Sequence, residues 1–226
     1  MQKLLILLFY LSLLPLSLYV RALEQKTVLV AVVGDSISYG YPLSTPSQRY
    51  GELAVSRLHQ KVNYHNFAVN VSTCANWARW ANVGDVSVTD FLSQPHTTAV
   101  AVIDCGLGDI MFGATPATAY ESLLQLVGVI KLHSTGPVTM LVSTLTDTTS
   151  SFISEANRST FNSYVIGGAS SGGYTVLNWG ADALLGCSGC ASNTTYFADG
   201  VHPAGRGHWI MAENYLAGAL NSLEIH

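Results

Sequence analysis

Residues 98–109 read TAVAVIDCGLGD, and this stretch decides how the chain folds. Its first six residues form an almost entirely apolar run, which is typical of a β-strand covered on both faces. Two glycines and an aspartate then follow at the end of the strand. Because sites in open parallel sheets lie at the carboxyl ends of strands, CGLGD indicates either a functional site or only a turn.

Similar runs alternate with helical patterns along the rest of the chain. Strands are predicted at residues 27–33, 62–69, 98–105, 137–143 and 174–179, and helices at 48–60, 116–132, 155–166 and 205–223. The second strand is more polar than the others and is expected nearer an edge. This alternation predicts a parallel sheet with helices on both faces, an α/β fold of three layers. With no internal repeat and no linker, residues 23–226 are expected to form one domain.

The first 22 residues differ from the rest. Lys3 precedes a leucine-rich run, residues 4–19, that is broken only by serines and Pro15, and the segment ends in Val-Arg-Ala. This pattern predicts a secretory signal peptide, residues 1–22, cleaved after Ala22. A signal anchor is the alternative, but the run is short for a membrane span and contains a proline.

Charge and composition limit the classes of molecule that the protein is expected to bind. Removing Lys3 and Arg21 leaves eight Lys and Arg against fourteen Asp and Glu, a formal charge of −6. Without a basic patch, nucleic acid and anionic membrane surfaces are poor partners. Three sequons, which begin at Asn70, Asn157 and Asn193, predict N-glycosylation and agree with secretion to the extracellular space.

The four cysteines suit an oxidising compartment, where three pairings are possible. Cys187 and Cys190 are separated by two residues and are predicted to form a local bridge. Cys74 and Cys105 are left open, because Cys105 fits equally well as a buried free thiol. No second pair of ligands stands at a spacing that would hold zinc, and no metal or cofactor is expected.

Two short motifs carry possible chemistry. The first, VVGDSISYG at residues 32–40, places Ser36 at the end of the first strand, where a nucleophile would stand; the alternative is an ordinary Asp/Ser helix cap. The second, DGVHP at residues 199–203, separates Asp199 and His202 by three positions, so that a carboxylate can orient an imidazole that takes a serine proton. The alternative there is a surface loop with a chance histidine.

Together these motifs resemble the SGNH hydrolases, the GDSL-type esterase and lipase superfamily. GDSI at residues 34–37 stands where that family has Gly-Asp-Ser-Leu, and residues 199–203 match its Asp-x-x-His-Pro ending. Residues 66–73 stand where it has Asn-x-x-x-x-Gly, and GLGD at residues 106–109 where it has Gly-x-Asn-Asp. The resemblance extends from residue 28 to about residue 220.

Membership would imply a flavodoxin-like, five-stranded parallel sheet and a serine mechanism. By resemblance, Ser36 attacks an ester carbonyl, His202 acts as base and then acid, and Asp199 orients His202. The oxyanion hole would be formed at Ser36, Val71 and Gly108. Members of the family hydrolyse acyl esters, thioesters and acetyl groups on carbohydrates, and some transfer acyl groups.

Two positions depart from the family pattern. Val71 replaces a glycine; its N–H is retained, but a β-branched residue does not easily adopt positive φ. Gly108 replaces the asparagine and has no amide to donate. Losing one oxyanion donor typically lowers turnover ~10²–10³-fold. Asn76 or Asn70 could supply an amide, and Gly108→Asn is expected to raise turnover.

The leading hypothesis is a secreted serine esterase that acts on small acyl or acetyl esters, including those on carbohydrate. The alternatives are a catalytically weakened domain that binds glycans or a partner, and an acyltransferase. Trp77 and Trp80 could form a sugar-stacking face but fit a core position better. Tyr39 and Tyr41 could line the pocket or the core, and His208 is expected near the surface.

Overall fold

The computed structural model of this chain describes residues 27–59, 62–83 and 87–223. The predicted signal peptide, residues 1–22, lies outside these ranges and stays a prediction.

A single sheet of five parallel strands forms the centre of the described residues. The strands are β1 (Val28–Gly34), β2 (Val62–Asn66), β3 (Thr98–Asp104), β4 (Val138–Ser143) and β5 (Thr175–Leu177). Their order across the sheet is β2-β1-β3-β4-β5. The predicted five-stranded, flavodoxin-like α/β fold is therefore confirmed, with each predicted strand in place.

Burial explains which strands stand in the middle. Every residue of β1 is buried, and so is all of β3 except Thr98. In β2, by contrast, half-buried and exposed residues alternate, as expected for an edge strand. The strand ends at Asn66 rather than at the predicted residue 69, because the Asn66 side chain accepts the Ala68 N–H at 3.0 Å and turns the chain.

Ten α-helices surround the sheet in the described ranges. They are α1 (Ser36–Tyr39), α2 (Tyr50–Val55), α3 (Cys74–Trp80), α4 (Val88–Leu92), α5 (Leu107–Met111), α6 (Pro116–His133), α7 (Glu155–Gly167), α8 (Ala169–Gly172), α9 (Gly205–Ile210) and α10 (Ala217–Ser222). Three 3₁₀ turns, Pro46–Gln48, Trp179–Ala181 and Cys190–Ser192, complete the connections. Helix α2 packs with the C-terminal helical region, whereas α6 packs with both α3 and α7.

The predicted helices differ from the structure mainly at their ends. The 48–60 helix is reduced to α2, and the 205–223 helix contains a π-helical segment, Met211–Leu216, between α9 and α10. Helix α6 begins as predicted, with Thr115 accepting the Thr118 N–H and Pro116 at the first position.

The strand order places two of the sequence motifs beside each other. From β1 the chain places β2 on one side and the later strands on the other, so the strand order reverses between β1 and β3. These two parallel neighbours are paired as far as Gly34, which lies opposite Asp104. Because ligands in doubly wound sheets bind where the strand order reverses, the GDSI and CGLGD segments both leave the sheet at the favoured place for a site.

The cysteines are paired as Cys74–Cys105 and Cys187–Cys190. The local pair was predicted, and the structure adds the pair that the sequence left open. Within the described ranges, no helix has the length and apolar character needed to cross a membrane.

Candidate active site

Ser36 is the first residue of α1, directly beyond β1. Asp35 caps this helix by accepting the Ile37 N–H on Oδ1 at 2.9 Å. A side chain at Gly34 would collide with the Asp104 carbonyl and the Ser38 hydroxyl, so only glycine allows this close turn. The turn leaves Ser36 half-buried, with its hydroxyl at the carboxyl edge of the sheet.

His202 and Asp199 meet Ser36 from the other end of the chain. His202 Nε2 lies 2.9 Å from Ser36 Oγ, and His202 Nδ1 lies 2.7 Å from Asp199 Oδ2. The carboxylate favours the tautomer with a proton on Nδ1, which leaves Nε2 to accept the serine proton. The three residues predicted as catalytic are thus joined in one hydrogen-bonded series.

The loop that carries the histidine is fixed by its own backbone. Ala198 N–H donates to the His202 carbonyl at 2.8 Å, while Asp199 Oδ1 accepts the N–H groups of Val201 and His202 at 3.0 and 2.8 Å. Partial burial raises the pKa of Asp199, but these hydrogen bonds and the imidazole outweigh it and hold that pKa below its usual value. Asp199 therefore stays ionised beside His202.

Tyr41 covers the imidazole on one side. Its ring meets the His202 ring edge-on, with 4.9 Å between the centroids, and it lines the cleft as predicted. Tyr39 does not; it is exposed and lies under the Arg49 guanidinium, 5.3 Å from the ring centroid.

A buried acidic cluster underlies the segment that carries Ser36. Asp104 accepts the hydroxyls of Ser143 and Ser38 at 2.7 Å each, and Ser38 also bonds to the Tyr50 hydroxyl at 2.7 Å. Burial raises the pKa of Asp104 to about 6, against the lowering effect of the two serines. Burial, with the nearby Asp104 charge, also raises the pKa of Asp35. No local sequence pattern indicates this cluster.

The Asn66 to Thr73 segment runs beside the segment that carries Ser36. Asn66 Nδ2 donates to the Ser38 carbonyl at 2.8 Å, which ties the segment to α1. Further along, Val71 adopts φ 65°, the conformation that β-branched residues avoid. Val71 therefore does take the positive φ that its side chain disfavours, at a strain of about 1–3 kcal/mol.

Gly108, in the first turn of α5, faces this segment. A Cβ at position 108 would stand 2.5 Å from the Ser72 carbonyl oxygen, and the glycine has an ordinary negative-φ backbone. Asp109 does not face the reacting groups; it accepts the first two amides of α3, those of Cys74 and Ala75, at 2.7 and 3.2 Å.

Other residues singled out in the sequence lie away from the reacting groups. Trp77 is buried and donates Nε1–H to the Gly34 carbonyl at 3.0 Å, as a core residue would; Trp80 is exposed outside the cleft. The Asn76 amide oxygen is held in the Thr73 capping box. The prediction for His208 was wrong: it is fully buried, because Nδ1 accepts the N–H of a residue in α2.

A cleft of about 350 Å³ opens over these groups. Its lining consists mainly of apolar side chains together with the reacting residues and one free amide: Asp35, Ser36, Tyr41, Asn70, Val71, Ser72, Leu107, Gly108, Met111, Phe112, Val201 and His202. The predicted oxyanion positions Ser36, Val71 and Gly108 thus share one cavity with His202. Among the described residues, no cluster of three or more His, Cys, Asp or Glu could hold a metal ion.

Comparison with known sequences identifies one family. The profile of the GDSL-like lipase/acylhydrolase family matches residues 32–210, which contain both motifs and most of the sheet. No curated protein matches the chain.

Solved structures share the fold at low identity. A member of the lipolytic G-D-S-L family from Veillonella parvula superposes with a TM-score of 0.62 at 18% identity, covering 82% of this chain and 94% of its own. The psychrotrophic esterase EstA from Pseudoalteromonas sp. gives 0.64 at 14%, covering 85% and 98%. A GDSL-like lipase from Bacteroides thetaiotaomicron gives 0.64 at 15%, covering 86% and 88%. At these identities the likeness concerns the fold alone.

Proposed function

Since the chain belongs to the GDSL-like lipase/acylhydrolase family, we propose that it is a secreted serine esterase that hydrolyses small acyl esters through an acyl-enzyme on Ser36. The observation that carries this proposal is the unbroken series of hydrogen bonds from Asp199 through His202 to Ser36 in the wall of an open cleft. A turn or a binding surface would not need these three groups in this order.

The geometry supports a two-step reaction. Ser36 Oγ attacks the ester carbonyl carbon while His202 Nε2 takes its proton, and the carbonyl electrons move onto the oxygen. The tetrahedral intermediate collapses when His202 returns the proton to the leaving alcohol, which leaves an acyl-enzyme. A water molecule then repeats the sequence and releases the acid. Asp199 keeps the imidazole in its productive tautomer throughout.

The backbone N–H groups of Ser36 and Val71 supply donors for the oxyanion in this proposal. The N–H of Ser36 is in the first turn of α1, where no carbonyl of the helix reaches it. The conformation of Val71 gives the turn the positive φ that a glycine would otherwise provide. Because Gly108 has no side-chain amide, we propose an oxyanion hole that lacks the asparagine donor of the family pattern.

The cleft wall favours an aliphatic acyl group. Leu107, Met111 and Phe112 come from one segment, and Val71 and Val201 approach from the others. Phe112 and Val71 are 65% and 64% exposed, which leaves apolar surface available to a substrate. A carbohydrate acetyl ester has less support, because neither Trp77 nor Trp80 lines the cleft.

A second candidate, a catalytically weakened domain that binds a ligand, is favoured by one observation, the absence of an amide at Gly108. The two candidates differ in turnover, because the binding domain would hold an ester without cleaving it. Acyl transfer uses the same acyl-enzyme and differs only in whether an alcohol replaces water in the second step.

Secretion and glycosylation belong to the same proposal. Two disulfide pairs support an oxidising compartment. Asn193 is exposed at the end of a 3₁₀ turn, outside the cleft, whereas Asn157 is half-buried in α7. Asn70 lies in the cleft wall, where a glycan would crowd the entrance.

The test joins a serine-reactive probe with an ester series. A fluorophosphonate should label Ser36, as shown by peptide mapping, and p-nitrophenyl butyrate or octanoate should be cleaved faster than the acetate. Ser36→Ala should abolish labelling and lower kcat by about 10⁴-fold or more. The variant should fold normally, because His202 is the only hydrogen-bond partner of this hydroxyl among the described residues. Unchanged hydrolysis in Ser36→Ala would remove Ser36 as the nucleophile, and acetate as the best ester would contradict the apolar acyl site.

A further inference from the structure

Residues 69–72 form a tight turn in the cleft wall. Ser72 N–H donates to the Val69 carbonyl at 3.2 Å, so Asn70 and Val71 are the two central residues. The positive φ of Val71 is the value that a type II turn requires at its third residue. The turn therefore holds Asn70 and Val71 at its centre, and both residues line the cleft.

Both ends of this turn are fixed to one atom beside the nucleophile. The Gly34 carbonyl oxygen, two residues before Ser36, accepts the Val69 N–H at 3.1 Å and the Ser72 hydroxyl at 2.9 Å. Trp77 Nε1–H donates to the same oxygen at 3.0 Å and to the Ser72 hydroxyl at 3.0 Å. The turn is thus positioned against the backbone that carries Ser36.

The turn also occupies the space that a side chain at position 108 would need. The Ser72 carbonyl oxygen approaches to 2.5 Å of where a Cβ of residue 108 would stand. The Cys74–Cys105 disulfide and the Asp109 carboxylate on the first amides of α3 hold the two segments together. Glycine at 108 and the close approach of this turn are therefore parts of one arrangement.

Asn70 is the side-chain amide that faces the cleft. It lines the same cavity as Ser36 and His202, and across residues 27–59, 62–83 and 87–223 no hydrogen bond occupies its side chain. The other amide nearby, that of Asn76, is not part of the cleft lining, and its oxygen accepts the Thr73 N–H and hydroxyl. An unpaired donor on a fixed turn, beside a nucleophile whose usual amide is absent, has the chemistry that an oxyanion needs.

We propose that the side-chain N–H of Asn70 donates to the oxyanion of the tetrahedral intermediate, in place of the amide that is absent at position 108. The inference rests on the proposed esterase function. As the Ser36 Oγ–carbon bond forms and the carbonyl electrons move to oxygen, Nδ2–H of Asn70 and the backbone N–H groups of Ser36 and Val71 would surround that oxygen. A glycan would not be carried at Asn70, so its sequon would remain unused.

The test compares Asn70→Ala and Asn70→Asp with the wild type, all produced in a host that adds no N-glycans. The expected result is a kcat for p-nitrophenyl butyrate about 10²-fold lower, with KM changed only a few-fold, because the donor acts on the transition state. The melting temperature should not move, since the amide is exposed and unpaired. Asn193→Ala, which removes an exposed asparagine and sequon outside the cleft, should match the wild type.

Three outcomes would overturn the inference. They are a kcat within two-fold of wild type in both variants, a change in KM alone, and a kcat loss that appears only with an equal loss of folding. Labelling of Ser36 by the fluorophosphonate separates these results from failure of the function itself. If wild-type Ser36 is neither labelled nor needed for hydrolysis, the esterase proposal falls and takes this inference with it.

Discussion

The two walls of the cleft differ in how closely their residues match the family motifs. On the triad wall, Ser36, His202 and Asp199 occupy the positions of the family motifs and are bonded in series. On the turn wall, which carries the proposed oxyanion donors, Val71 and Gly108 stand where the family resemblance places a glycine and an asparagine, and the backbone there is held tightly. The triad wall has the residues of the family motifs, whereas the turn wall has a firmly held backbone although two of its residues differ from those motifs.

The chemistry of each wall explains the difference. Proton transfer at neutral pH needs an imidazole, and an imidazole needs a partner that fixes its tautomer, so no other side chain substitutes readily. An oxyanion needs only N–H groups at the right distance, and any backbone amide or side-chain amide can supply one. The turn wall can therefore be rebuilt from different residues, whereas the triad wall cannot.

The largest expected effect comes from a substitution at Asp199, in the triad wall. Asp199→Asn preserves the shape of the side chain but lets its amide group face His202 Nδ1, which favours the wrong tautomer. We expect kcat to fall about 10⁴-fold, with little change in KM. Steady-state kinetics with p-nitrophenyl butyrate measures this directly.

Asp182→Asn is the matched control, because that carboxylate also accepts backbone N–H groups, those of Leu184 and Leu185, but does so outside the cleft. It should retain kcat. A loss of less than ten-fold in Asp199→Asn would mean that the Asp199–His202 bond does not set the tautomer.

There is a physical reason why the sequence predicted the sheet and the proximity of Ser36, Asp199 and His202. Apolar strand runs and the motif spacing are local properties, and the parallel topology then brings distant motifs to one edge. The turn wall depends on contacts between segments: the Ser72 carbonyl against Gly108, and the Cys74–Cys105 pair. No local pattern encodes these contacts, so they were not predicted.

Strain was the other point that local reasoning could not resolve. Positive φ at Val71 is unfavourable for the isolated residue, and the sequence therefore cast doubt on it. Three donors on the Gly34 carbonyl fix the turn from outside and impose the conformation. Burial of His208 was missed similarly, because its partner in α2 lies 158 residues earlier in the chain.

A smaller effect tests the turn wall. A Cβ at position 108 would press on the Ser72 carbonyl, so Gly108→Ala should displace the turn that carries Asn70 and Val71. We expect kcat to fall about ten-fold, less than the loss of a complete donor. This contact also corrects the sequence-based expectation for Gly108→Asn, which carries the same Cβ and is not expected to exceed the wild type.

Comparing the two substitutions separates the clash from the missing amide. Gly108→Asn should be faster than Gly108→Ala if its amide reaches the oxyanion after the turn has moved. Gly128→Ala is the control, because a Cβ at that helical glycine of α6 meets nothing within 4 Å. If Gly108→Ala keeps full activity, the close approach of Ser72 is not needed for the geometry of the turn wall.

The smallest expected effect concerns the buried carboxylate of Asp104, which lies beneath Ser38 and supports the triad wall. Its pKa of about 6 in the folded state lies above the value of about 4 for an unfolded chain. Between these values the folded protein binds a proton that the unfolded chain does not, so the free energy of unfolding falls as pH rises from about 4 to about 6. Asp104→Asn removes this titration and also the part of the raised Asp35 pKa that the Asp104 charge causes, and both changes act on the stability in the same direction. The melting temperature of the variant minus that of the wild type should therefore increase between pH 4 and pH 7, by about 2–4 °C for each kcal/mol involved.

Burial lowers the pKa of His208 to about 3, with smaller effects from the Arg49 and His202 charges, but that contribution is common to both proteins and cancels in the difference. Asp90→Asn, at an exposed carboxylate, is the control. A difference that stays flat with pH would show that Asp104 carries no unfavourable charge beneath Ser38.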